Sequence, residues 1–236
     1  MPFALYLLAL VVFAMGTSEF MLAGLVPDIS TYFGVSVGTA GLLTSAFAAG
    51  MVIGAPAMAA LTRRLPMKAT LLGCVVVFAL SHVVGALTPD FTILFITRVI
   101  AAIVNAGFLA VALGAATKLV APNAKGRAVS ILLAGTTVAT VAGVPAGAVL
   151  GTALGWQSTF WAIALLCVPA AIGIAAGFTT QAGDTSEKDS SSLRMELAQL
   201  ASPRLVLTMM LAALVNAGTF ATLTFLAPIV TGTADL

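Results

Sequence analysis

The chain has 236 residues, of which 61% are hydrophobic and only 8% charged, against about 25% charged in an ordinary soluble domain. Ten basic and eight acidic residues cannot cover the surface of a soluble fold of this size, so the composition excludes one and points to lipid as the solvent. A net charge of +2 is too small to argue for nucleic acid, and the two cysteines, Cys74 and Cys167, lie in apolar runs with neither a disulfide framework nor a metal-binding spacing.

The opening Met1-Pro2-Phe3-Ala4 lacks the basic segment of a signal peptide. The apolar stretch behind it is long enough to be a retained first span. Crossing roughly 30 Å of hydrocarbon takes about 20 apolar residues. Seven stretches qualify: Ala4–Val26, Thr39–Ala60, Ala69–Leu87, Phe91–Thr117, Ala128–Leu154, Phe160–Thr179 and Leu205–Val230. Glycine and proline inside several of them are tolerated in membrane helices.

The connections alternate in charge. The first carries Asp28 and no base; the second carries Arg63, Arg64 and Lys68. The third carries only Asp90, the fourth Lys118, Lys125 and Arg127, and the fifth nothing. The sixth, residues 180–204, carries Lys188, Arg194 and Arg204 among four acids. All nine bases outside the spans thus share one side, which the positive-inside rule makes cytoplasmic. The N-terminus is expected inside, and the seventh span delivers the C-terminus outside. The polar run 181–192 reads as a flexible linker. Leu193, Leu197 and Leu200 after it read as a short interfacial helix or a solvated turn. The expected organisation is a six-helix bundle over residues 1–179, a cytoplasmic linker over 180–204, and a seventh helix over 205–236 opening a second bundle. At an offset of 201 residues, Leu22, Leu25 and Pro27 fall on Leu223, Leu226 and Pro228, the echo expected if that helix restarts a six-helix repeat.

Two charges lie within spans. Glu19 precedes Pro27 by eight residues, and Arg98 follows Asp90 by eight. With Pro27 and Asp90 taken as the outer surface, both sit roughly 12 Å deep at 1.5 Å per residue. Intramembrane charges cost about 2.5–3.5 kcal/mol each on insertion scales and mark functional sites or ion pairs. The expected roles are a proton-binding carboxylate at Glu19 and a cation at Arg98 that tunes it; the alternative is a structural ion pair. Asn105 shares the Arg98 face, and Met15 shares the Glu19 face. In the seventh span Asn216 and Phe220 line up, Phe220 falling opposite Glu19 in the repeat. These four are the expected lining of a substrate cavity, because Met and Phe repack around varied apolar ligands. His82 reads as a satisfied interface residue with no chemistry. Intramembrane catalysis would need paired carboxylates, His-rich metal spacing or a Ser/His arrangement, and none is found; no enzyme activity or metal is expected.

In the fifth span Gly143, Gly147, Gly151 and Gly155 recur every fourth residue, one bare face along which another helix can approach. Pro145 removes a backbone donor and can bend the helix.

Gly135, Gly143, Pro145, Gly147, Gly151, Gly155, Trp156 and Phe160 together resemble the fifth-helix antiporter motif of major facilitator superfamily drug exporters. Arg98 in Thr97-Arg98-Val99-Ile100 is similar to that superfamily's fourth-helix arginine. Gly16-Thr17-Ser18-Glu19-Phe20 through Pro27-Asp28 resembles the acidic first-helix motif of its twelve-span drug/proton antiporters, and Lys125-Gly126-Arg127-Ala128 their central cytoplasmic loop. The runs 16–24, 40–47 and 105–113 resemble bacterial chloramphenicol-resistance exporters. In the loop after the second span Arg64 and Lys68 match the family pattern, while Arg63 and Pro66 replace its acid and second glycine. The resemblance implies an all-α membrane protein: the N-terminal six-helix half of a major facilitator fold plus the first helix of the second half. It implies proton-coupled efflux of small amphipathic drugs, chloramphenicol first, from the cell membrane, with no cofactor beyond the proton gradient and a monomer when full length. A sugar or other small-solute exporter of the superfamily, or an inactive truncated product, are the alternatives. The family has twelve spans, so the chain is expected to be truncated one span into its second half.

Overall fold

The computed structural model describes residues 2–62, 65–177, 202–215 and 218. It divides into two compact units, residues 1–187 and 188–236. The first unit holds α1 (Phe3–Phe33), α2 (Val37–Thr62), α3 (Met67–Leu87), α4 (Phe91–Lys118), α5 (Lys125–Val138), α6 (Val144–Leu154) and α7 (Trp156–Gly177). A 3₁₀ turn, Pro122–Ala124, precedes α5, and a π-helical turn, Ala139–Gly143, joins α5 to α6. Residues Pro122–Leu154 therefore act as one span, and among the described residues six helices are long and apolar enough to cross a membrane. In the second unit the described residues form α8, Pro203–Val215, an apolar helix exposed along its length. Most of the seventh predicted span, the linker, the interfacial helix at Leu193–Leu200, Arg64, Asn216 and Phe220 lie outside the described residues.

The first helix is longer than its sequence suggests. Pro27 lies inside α1, which runs on to Phe33 and stops at Gly34, a C-cap with φ 65°. Gly34 supplies the left-handed conformation at no steric cost, and its N–H donates to the Ser30 carbonyl. Pro27 thus does not end the first helix, which continues 14 residues beyond Glu19. At the far end of α1, Tyr32 and Phe33 meet Trp156, and Phe33 also meets Phe91 at 5.8 Å. Such aromatic clusters suit a membrane–water interface. The Lys125–Ala128 run is likewise helical, forming the first turn of α5 rather than a loop.

In the core, α1 packs against α2, α5, α6 and α7, while α4 packs against α2, α3 and α5. The glycine stripe explains the α1 seam. A Cβ on Gly135 would strike the Ala9 carbonyl, one on Gly143 would strike Thr17 Oγ1, and one on Gly151 would lie 2.5 Å from Leu25 Cδ2. Gly147 faces Met21. Thr17, Met21 and Leu25, themselves four apart on α1, thereby fill the bare face, and at Gly135 the α1 backbone itself comes close. Gly155 is not part of it: at φ 87° and ψ 152° it makes the turn between α6 and α7.

Pro145 sits at the start of α6, directly after the π turn. A proline cannot donate to the helix ladder, and its ring crowds the carbonyl four residues back, here Val141. The wider turn relieves that crowding, with the Val144 N–H reaching back five residues to the Ala139 carbonyl.

Candidate functional site

Arg98 projects from the third turn of α4 into the bundle and is 1% exposed. Its Nη1 donates to Ser18 Oγ at 2.9 Å and its Nη2 to the Ser18 carbonyl at 3.0 Å. Nη1 also lies 3.3 Å from His82 Nε2. The guanidinium carbon sits 4.6 Å from the Phe47 ring centroid and 5.7 Å from that of Phe160. Aromatic faces stabilise a desolvated guanidinium through their quadrupoles. Nε has no hydrogen-bond partner among the described residues.

Glu19 is the next residue on α1 and is half-buried. Its carboxylate feels the charge of Arg98 through space, and the polar side chain of Asn105, two turns further along the same face of α4, lies near enough to stabilise it. The structure therefore brings Glu19, Arg98 and Asn105 together. Arg98 spends its hydrogen bonds on Ser18, with His82 beside it, rather than on a direct contact with Glu19.

Met15 is 1% exposed and packs in the apolar core, so it offers no open surface. Gly135, Gly143, Gly147 and Gly151 are brought together along the α1 seam, and Pro145 sits at the π turn. Lys68 lies in the first turn of α3. His82 departs from its expected place: it is fully buried inside the bundle, 2.6 Å from Ser18 Oγ and 2.8 Å from the Phe78 carbonyl. Two rings flank it, Phe78 at 4.3 Å and Phe160 at 5.4 Å. Ser18, His82 and Phe47 were not legible as site residues, and Phe160 was picked out only as the end of the fifth-helix motif, not as a neighbour of Arg98. The available signal was His82 itself, an ionisable ring in an apolar span that needs a partner.

A glycine-seamed six-span bundle with a buried arginine facing an intramembrane acid defines a multi-pass membrane protein built like one half of a transporter. The sequence matches the profile of the Major Facilitator Superfamily over residues 8–236, and the chain belongs to that superfamily. It is 58% identical over its whole length to a chloramphenicol resistance protein of Streptomyces lividans, of which it covers 60%. It is 32% identical, over 96% of its length, to the inner membrane transport protein YdhP of Escherichia coli K12, covering 57% of that protein. The chain thus spans a little over half the length of these relatives. A crystal structure of the peptide transporter POT shares the fold at TM-score 0.67 and 14% identity, over 95% of this chain and 49% of that one.

Proposed function

We propose that the protein exports small amphipathic drugs, chloramphenicol first among them, across the cell membrane in exchange for protons. The observation that carries this is the 58% identity along all 236 residues to a chloramphenicol resistance protein. The cell membrane, with the N-terminus cytoplasmic, is supported by the inner-membrane relative and by the nine bases on alternate connections.

The site gives the exchange its chemistry. A guanidinium does not release its proton in a protein, so Arg98 is a fixed charge. Glu19 is the group that changes state: its carboxylate takes a proton on the outward side, becomes neutral, and returns it to the cytoplasm. Drug leaves the cavity as the proton arrives, so the two alternate. Asn105 beside the carboxylate lines the drug path. The bare glycine face lets α1 slide against α5 and α6 as access alternates, and Arg64 and Lys68 serve the cytoplasmic gate.

The test is drug accumulation in cells expressing the full-length gene product with and without Glu19→Gln. Efflux falling to the level of cells lacking the gene is expected. Unchanged efflux at equal membrane abundance removes Glu19 from coupling.

A further inference from the structure

We propose that His82 is the positioning residue for Arg98: a neutral imidazole with its proton on Nδ1, whose bare Nε2 orients the Ser18 hydroxyl and, through it, the guanidinium. The functional consequence rests on the transport reading above; the geometry does not.

The donors and acceptors leave one consistent assignment. The Phe78 carbonyl can only accept, and it lies 2.8 Å from Nδ1, so Nδ1 carries the hydrogen. In a neutral ring Nε2 is then an acceptor. The Ser18 hydroxyl, 2.6 Å away, donates to it. That leaves the lone pairs of Ser18 Oγ for Arg98 Nη1 at 2.9 Å. A doubly protonated ring would instead set a second cation 3.3 Å from Nη1, in a site where neither charge reaches water. The ring cannot turn away, because Phe78 and Phe160 lie on it. Gly85, one turn beyond His82, keeps Phe160 in place: a Cβ there would come within 3.1 Å of the Phe160 ring.

The consequence concerns Glu19. With Arg98 drawn onto Ser18, the Glu19 carboxylate is left to Asn105 and to a proton. Without the imidazole acceptor, the guanidinium is free to close on Glu19 and lock it.

His82 is the only histidine in the chain, so nitrogen NMR of histidine-labelled protein in lipid nanodiscs reports on it alone. One pyrrole-like nitrogen, Nδ1, and one pyridine-like nitrogen, Nε2, are expected at neutral pH, with Nε2 shifted by Ser18→Ala. A proton on Nε2 overturns the inference. In cells, His82→Leu should lower efflux about tenfold, the effect of leaving buried donors without an acceptor. His82→Gln, whose amide oxygen reaches the Nε2 position, should restore most of it at equal abundance and melting temperature. Leu and Gln variants behaving alike overturns the positioning role. If the Leu variant fails to accumulate in the membrane, the NMR tautomer decides. Efflux retained in Glu19→Gln sinks the transport reading alone and leaves the tautomer result standing.

Discussion

The α2–α4 seam offers a prediction whose size can be worked from distances. Gly50 and Gly54 are four residues apart on α2, and both face α4. A Cβ on Gly54 would lie 2.6 Å from Ile103 Cα and 3.1 Å from its carbonyl oxygen. These are backbone atoms, which cannot rotate aside. Carbon pairs are best separated by about 3.5–4.0 Å, so Gly54→Ala forces the two helices apart by about 1 Å at this crossing. The same movement loosens Gly50 against Ala102 and Met58 against Gly107. Overpacking of this kind costs about 1–3 kcal/mol, and alanine returns at most about 1 kcal/mol of helix propensity. A net loss of up to about 2 kcal/mol corresponds to a melting temperature lower by up to roughly 8 °C at about 2–4 °C per kcal/mol. Gly73→Ala on α3 is the control, because nothing lies within 4 Å of its Cβ. Thermal unfolding in detergent, followed by Trp156 and Trp161 fluorescence, reads both. Gly54→Ala melting at or above Gly73→Ala would refute the close approach.

Other consequences follow from the helix ends. Gly155, at φ 87° and ψ 152°, occupies a region open essentially to glycine alone. Gly155→Ala should cost about 1–3 kcal/mol, whereas Gly34→Asn, at φ 65° and ψ 28°, should melt near wild type because asparagine tolerates that conformation. Asp90 caps α4 by accepting from the N–H groups of Thr92 and Ile93 at 2.6 and 3.3 Å, and those bonds hold its carboxyl below the usual carboxylate value. A depressed folded value means the stabilisation is fully present above the unfolded value of 3.8. It is lost as pH falls through the lower folded value. Melting curves from neutral pH down to about pH 3 should fall more steeply for wild type than for Asp90→Asn, which caps without titrating.

The spans were legible because membrane crossing sets a run length, and every described run longer than about 20 apolar residues became a helix. Their ends were less so. Pro27 looked like a terminus, yet a proline in a membrane helix costs only one donor, and the ladder closes again before Gly34. Gly155 shared the spacing of Gly143, Gly147 and Gly151, but periodicity cannot separate a packing glycine from one that turns the chain; only its φ does. Glu19 and Arg98 could be read from charge alone, since a charge in lipid must be explained. Ser18 could not, because a hydroxyl in an apolar helix can satisfy itself on its own backbone. Its partnership with His82 and Arg98 depends on how α1, α3 and α4 rotate against each other. The Gly50–Gly54 pair, with Pro56 two residues on, carried the same small-residue signal as the fifth span, but one pair is a shorter series than Gly143, Gly147 and Gly151 and did not stand out from a glycine-rich chain.

The way Arg98 is solvated bears on how a proton could be sensed. Four other helices each bring it one group: Ser18 from α1, Phe47 from α2, His82 from α3 and Phe160 from α7. None of the four need carry charge in the arrangement derived for His82. A buried cation is costly unless its surroundings replace water, and here dipoles and ring quadrupoles do so. Glu19 is then the opposite charge in electrostatic range, and it alone among these groups is half-buried rather than enclosed. Adding a proton to Glu19 changes the field at Arg98 without breaking any of its hydrogen bonds. Because four helices grip the guanidinium, a change in that field is a change in the energy of their packing. Glu19→Gln therefore separates the two contributions: it keeps the shape and the Asn105 contact, and removes only the charge. A Gln variant that folds and melts like wild type but no longer exports drug would locate the coupling in electrostatics rather than in contact.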